Sequence, residues 1–137
     1  MRKILFVVFS LLCFCLAVMA QNEKAAGEKN LVGAWAGTWT GGSNGSFEMT
    51  ITKDADGKLG GSITPKPEGG ESYTVSFKSV ALSDGKVTMK LSDPNDEADI
   101  TLEATIDGSA LKGTYLVRIK ADGNEVDRGT VTASKKK

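Results

Sequence analysis

Two tryptophans four residues apart, Trp35 and Trp39, are the side chains of this 137-residue chain best suited to grip a ligand. Residues separated by an even number share one face of a strand. Turned outward, the indoles would stack on a sugar or an aromatic ring. Turned inward beside Gly33 and Gly37, whose missing side chains leave room for rings, they would plug a core, and the adjacent glycines favour this second arrangement. A different chemistry is suggested by Asp93, Asn95, Asp96, Glu97 and Asp99, which crowd together the oxygen ligands that calcium prefers. The EF-hand order needs Gly at its sixth position, where Ala98 stands, so the segment reads as a solvated polar loop and no metal site is expected. Asp54-Ala55-Asp56-Gly57 also echoes a calcium loop, but it is too short and hairpin geometry alone explains it.

Other chemistries are limited by missing residue types. The chain has no histidine, and its two cysteines, Cys13 and Cys15, both lie in an apolar N-terminal run. Once that run is removed, no disulfide, thiolate zinc site or imidazole base can form. Glu48 and Glu103 alternate with core positions and so face water, while nearly every other carboxylate lies in a turn or near the N-terminus. No nucleophile elbow, phosphate loop or cofactor-binding motif is present, so neither catalysis nor a cofactor is expected.

The N-terminus has the three-part layout of a secretory signal peptide. Met1-Arg2-Lys3 is followed by the apolar run Ile4 to Val18, then by Val18-Met19-Ala20 and the polar Gln21. The run is shorter than the roughly 20 residues a membrane-spanning helix requires. Cys13 follows Leu12 and Cys15 follows Phe14, not the small residue that lipid attachment needs, so a lipoprotein is excluded. Cleavage is expected after Ala20, giving a secreted or periplasmic protein with no membrane span in its mature form. Without Arg2 and Lys3, 15 basic residues face 17 acidic ones, a net charge of −2 that argues against a nucleic-acid partner. Residues 21–30 read as a flexible leader, 31–134 as one β domain, and 135–137 as a frayed basic tail.

From Leu31 onward, short alternating runs are separated by glycine-bearing turns, and helical periodicity is absent. Phe47, Met49 and Ile51 set a period of two; Asp54 to Gly57, Ser83-Asp84-Gly85, Asp107-Gly108 and Asp122-Gly123-Asn124 supply the turns. A slip in the pattern between Phe77 and Val80 suggests a bulge. Eight strands joined by short loops must run as an antiparallel meander, and curling it removes the edges and buries the apolar face. The expected fold is therefore a single eight-stranded up-and-down β-barrel, with a two-sheet β-sandwich as the alternative. Its interior would hold Phe47, Met49, Ile51, Leu59, Ile63, Val75, Phe77, Val87, Met89, Leu91, Ile100, Leu102, Ile106, Leu111, Tyr115, Val117 and Ile119.

The opening strand, Gly33-Ala34-Trp35-Ala36-Gly37-Thr38-Trp39, contains Gly-x-Trp twice. It resembles the first-strand signature of the calycin group, which comprises lipocalins, fatty-acid-binding proteins and avidins. That resemblance implies a Trp plugging the closed end of the barrel under an Arg from near the last strand. Trp39, with Trp35 as the alternative, would be the plug and Arg128 the Arg. Gly37-Thr38-Trp39 followed by Leu59-Gly60-Gly61 also resembles the avidin pattern. No Trp follows Trp39, however, and Gly41 stands where a polar biotin contact belongs, so the fold is expected without biotin as the ligand.

In an up-and-down barrel, Gly41 to Gly45, Pro65 to Gly70, Ser92 to Glu97 and Ala121 to Asn124 share one rim, with tight turns at the other. Long loops at one mouth suggest a binding entrance. The sequence thus suggests an exported non-enzymatic binding protein for a small apolar or amphipathic ligand, with Trp35, Trp39, Tyr115 and Arg128 as candidate ligand-binding residues. The alternative is a protein-interaction module with a filled core, such as an exported inhibitor or envelope partner, using an outer wall on which Leu116 sits between Thr114 and Arg118.

Overall fold

The computed structural model describes residues 27–137. The expected signal peptide, both cysteines and the first part of the leader lie outside the described residues. Nine strands follow one another: β1 Gly33–Gly41, β2 Asn44–Lys53, β3 Leu59–Pro67, β4 Val75–Ser76, β5 Ser79–Ser83, β6 Lys86–Ser92, β7 Ala98–Asp107, β8 Ala110–Ile119 and β9 Glu125–Lys135. All pair antiparallel in a single sheet of order β4-β3-β2-β1-β9-β8-β7-β6-β5. A single sheet excludes the sandwich. The first and last long strands meet, with Trp39 opposite Val131 and Trp35 opposite Lys135, which removes one pair of edges.

Nine strands are found where eight were expected because one is divided. At Phe77 and Lys78 the chain passes from one end of the sheet to the other: Phe77 N donates to Gly61 O of β3 at 3.0 Å, and Lys78 N donates to Lys90 O of β6 at 2.7 Å. The slip in the sequence pattern falls at this handover. Residues 75–83 thus stitch the curled sheet into a barrel, pairing first with β3 and then with β6. Pro65 and Pro67 keep the seam from closing over its full length. Pro65 O accepts a bond from Tyr73 N at 3.4 Å, but its nitrogen, on the same edge, has no hydrogen to return.

Alternation places the core as the sequence suggests. Phe47, Met49, Ile51, Val87, Met89, Leu91, Leu102, Leu111 and Tyr115 are buried, and Val75, Phe77, Ile100, Ile106 and Val117 pack against them. Ile119 is half-buried and stands apart from that core. Leu31, Val80, Ala104, Val131 and Ala133 join it. A bulge between Val117 and Arg118 shifts the β8–β9 register and leaves Val126 exposed. Beyond the bulge, Asp127, Gly129, Val131 and Ala133 point inward by alternation, while Arg128 and Thr130 point out.

The end of the barrel opposite the long loops is sealed. Residues 27–31 form a helical turn, so the last part of the expected leader belongs to the fold. The turn is anchored because Leu31 is completely buried and its carbonyl accepts a 2.8 Å bond from Trp35 Nε1. Trp35, also fully buried, fills this end, and Lys135 Nζ lies 5.9 Å from the centre of its ring. That ammonium also donates to the carbonyl of Asn30 at 2.8 Å, fastening the helical turn across the base. The basic tail is accordingly tethered at its start: Lys135 ends β9, Lys136 N donates to Ala34 O, and Lys136 Nζ reaches Glu48 at 2.8 Å. Among the described residues, no helix is long and apolar enough to cross a membrane.

Candidate functional site

The inner face of β1 reads Trp35-Gly37-Trp39-Gly41, and its two indoles lie at different depths. Trp35 plugs the closed end, while Trp39 is half-buried at the open one. The roles suggested by the family resemblance are therefore exchanged: Trp35, not Trp39, is the plug. Arg128 does not cover it. Its side chain lies on the outer wall, largely exposed and paired with Glu125, because its position in the alternation points it away from the interior. Lys135 supplies the cation beside the plug instead.

At the open end lies a cavity of about 200 Å³, lined mainly by apolar groups including Phe47, Ile63, Leu91, Ile100, Leu102 and Val131. Pro65, Pro67 and Tyr73 line it from the seam that the prolines keep open. Trp39 lines the same space. Polar groups gather along one side of it. Trp39 Nε1 donates to Ser43 Oγ at 3.2 Å, Ser43 Oγ donates to Asp127 Oδ2 at 3.0 Å, and Asp127 Oδ1 also accepts from Gly42 N at 2.9 Å. Tyr115 OH reaches both Asp127 oxygens at 3.2 Å. The loop 42–43 is thus fastened to β8 and β9 across the mouth, and Trp39 is held at one edge.

The glycines of β1 make this packing possible. A Cβ on Gly37 would lie 2.8 Å from the Phe47 ring, and one on Gly41 would run into the Tyr115 hydroxyl. Burial, reinforced by the Asp127 charge, raises the Tyr115 pKa above 10.0, so the phenol stays protonated and donates to the carboxylate. Tyr73 is likewise raised, first by burial and then by Asp93. An apolar space with a stacking indole, two neutral phenols and one carboxylate is equipped for recognition: it offers a ring surface, hydrogen-bond acceptors and a negative charge.

Of the four site candidates read from the sequence, Trp39 and Tyr115 come together in this cavity, while Trp35 and Arg128 do not. Sequence reasoning missed Asp127, Tyr73 and Ser43. The alternation through Val131 and Gly129 was the available signal for Asp127. The acidic segment after β6 is engaged internally. Asp93 Oδ1 accepts from Glu97 N at 2.6 Å and Ala98 N at 2.8 Å; Asp96 pairs with Lys120, and Asp99 lies 3.7 Å from Lys78. Asp54 Oδ1 similarly caps Asp56 N and Lys58 N, each at 2.9 Å, as a hairpin turn requires.

Fold and cavity together define a small antiparallel β-barrel, sealed at one end and open at the other. Two solved structures share the fold. The structure of EF1p2_mFAP2b bound to DFHBI superposes with a TM-score of 0.64 at 10% identity, over 81% of this chain and 97% of that one. A redesigned beta barrel, mFAP1, bound to DFHBI, gives a TM-score of 0.61 at 14% identity, over 79% of this chain and 96% of that one. At such identities the likeness concerns the fold. No protein-family model and no curated protein matches the sequence.

Proposed function

We propose that this chain is an exported, non-enzymatic binding protein of the calycin type that holds a small, largely apolar ligand at the open end of its barrel. The observation that carries this reading is the cavity of about 200 Å³ bordered by Trp39 and Tyr115, open between the long loops while Trp35 seals the opposite end. Its volume narrows the ligand. A dry cavity of roughly 150 Å³ accommodates benzene, whereas typical sites for drug-sized ligands start near 300 Å³. A ligand of one or two rings fits, whereas a fatty acid or retinoid would leave most of its chain in water. Both similar barrels are described with DFHBI bound, which supports the use of this architecture for small-ligand binding.

Export rests on the signal-peptide pattern of residues 1–20. The interaction-module alternative has weaker support, since Val126 is exposed as a single apolar side chain and Leu116 is only half-exposed beside Arg128. Calorimetric titration with one- and two-ring aromatics, DFHBI and long-chain fatty acids tests the proposal. Saturable binding by the ring compounds and weaker binding by the fatty acids is the expected result. Tightest binding by long chains would contradict the cavity size, and silence across the panel would remove the reading.

A further inference from the structure

The cavity carries a charge signature that bears on its ligand. Among the described residues lining it, Asp127 is the only carboxylate, and neither Lys nor Arg faces the space. The carboxylate is held in place by Gly42 N, Ser43 Oγ and Tyr115 OH. Tyr115 OH reaches both carboxylate oxygens but has a single hydrogen, so three donor hydrogens serve about four acceptor positions and one remains for a ligand. The indole of Trp39 lies one hydrogen-bonded residue away through Ser43, so a ring on Trp39 and a charge at Asp127 would be met by one compact molecule. The entrance has the same sign. Its loops carry Glu68, Glu71, Asp93, Asp96, Glu97 and Asp122 against Lys66 and Lys120, with Lys78 approaching Asp96 from the side at 3.8 Å. The arginine that could have received an anion, Arg128, is on the outer wall.

We infer that the cavity selects flat aromatic molecules bearing an ammonium group and discriminates against aromatic carboxylates. This rests on the cavity being the binding site, and it narrows the expected ligand from apolar or amphipathic molecules in general to one charge class. The ring lies against Trp39 and the apolar wall, the ammonium donates to the free Asp127 position, and the acidic loops attract the cation as it approaches. An anion in the same pose would face the Asp127 carboxylate at short range, and neither lysine nor arginine lines the space to receive it.

Three ligands sharing one ring separate the two claims in calorimetric titration: tryptamine, neutral 3-methylindole and indole-3-propionate. The expected order of affinity is tryptamine, then 3-methylindole, then indole-3-propionate. Tryptamine should exceed the propionate by at least about tenfold at low salt, as a hydrogen bond between charged groups implies. Added salt should narrow the gap. Asp127→Asn, which keeps an acceptor for Tyr115, should bring the tryptamine-to-propionate ratio close to one. A tryptamine-to-propionate ratio near one or inverted in the wild-type protein overturns the inference with no variant needed, as does a ratio that Asp127→Asn leaves intact. Binding of 3-methylindole alongside such a ratio would retain the cavity reading and reject only its charge preference. Failure of all three to bind overturns both.

Discussion

Replacing Trp35 by alanine should cost the fold far more than the same change at Trp39, although the two residues share a strand face and a sequence motif. Trp35 is completely buried. A tryptophan buries about 200 Å², and at about 25 cal/mol per Å² its transfer from water contributes ~5 kcal/mol. Alanine keeps a small part of that, and the cavity left beneath Leu31 offsets the part retained, giving ~3–5 kcal/mol for the substitution. Loss of the bond from Nε1 to the Leu31 carbonyl adds ~1 kcal/mol and frees the helical turn of residues 27–31. Trp39 is half-exposed and its Nε1 bonds only the exposed loop residue Ser43, so alanine there should cost ~1–2 kcal/mol. Small domains have a total stability of about 5–15 kcal/mol, so the Trp35 variant should be close to unfolding. Urea unfolding followed by circular dichroism measures both variants on one scale. Equal losses, or a larger loss at Trp39, would refute the assignment of Trp35 as the plug and with it the polarity of the barrel.

Further predictions follow from the packing, the tyrosines and the N-terminus. Gly113→Ala would push a Cβ onto the Glu103 carbonyl oxygen and to 2.5 Å from Ala104 Cα, which should cost ~1–3 kcal/mol. Gly60→Ala, with open space around the new atom, should change stability by less than ~0.5 kcal/mol in the same unfolding assay. Tyr73 and Tyr115 should titrate above 10.0 in near-UV absorbance of the folded protein. Because both values are raised, their contribution to stability is complete below the unfolded pKa and is lost as pH rises through the folded values; Asp127→Asn should bring the Tyr115 midpoint down. Protein recovered from a cell envelope or culture medium should begin at Gln21 by intact mass, and retention of residues 1–20 there would contradict export.

Most of the barrel was legible because alternation and turn chemistry are local. Phe47, Met49 and Ile51 announce an inner face by their spacing, and the Asp-Gly pairs mark hairpins without reference to the rest of the chain. The gathering of the longer loops on one rim follows from antiparallel order alone. The depth of each tryptophan was not legible, since Trp35 and Trp39 have the same parity. Which end is closed depends on the helical turn of residues 27–31 and on Lys135, which is more than a hundred residues further along the chain. A helix of one turn carries no periodicity to read. The position of Arg128 was obscured by the Val117–Arg118 bulge, although counting back from Val131 would have placed it outside and Asp127 inside. The divided strand at Phe77 and Lys78 showed only as a slip, because the sequence does not reveal that its two halves have different partners.

The claim on which the account depends is that Trp39, and not Trp35, meets a small molecule. Quenching of intrinsic tryptophan emission by a neutral non-indole aromatic, titrated into wild type, Trp35→Phe and Trp39→Phe, tests it directly. Saturable quenching that persists in Trp35→Phe and disappears in Trp39→Phe is the predicted result. Quenching carried by Trp35, or no saturable change in any of the three proteins, would contradict it.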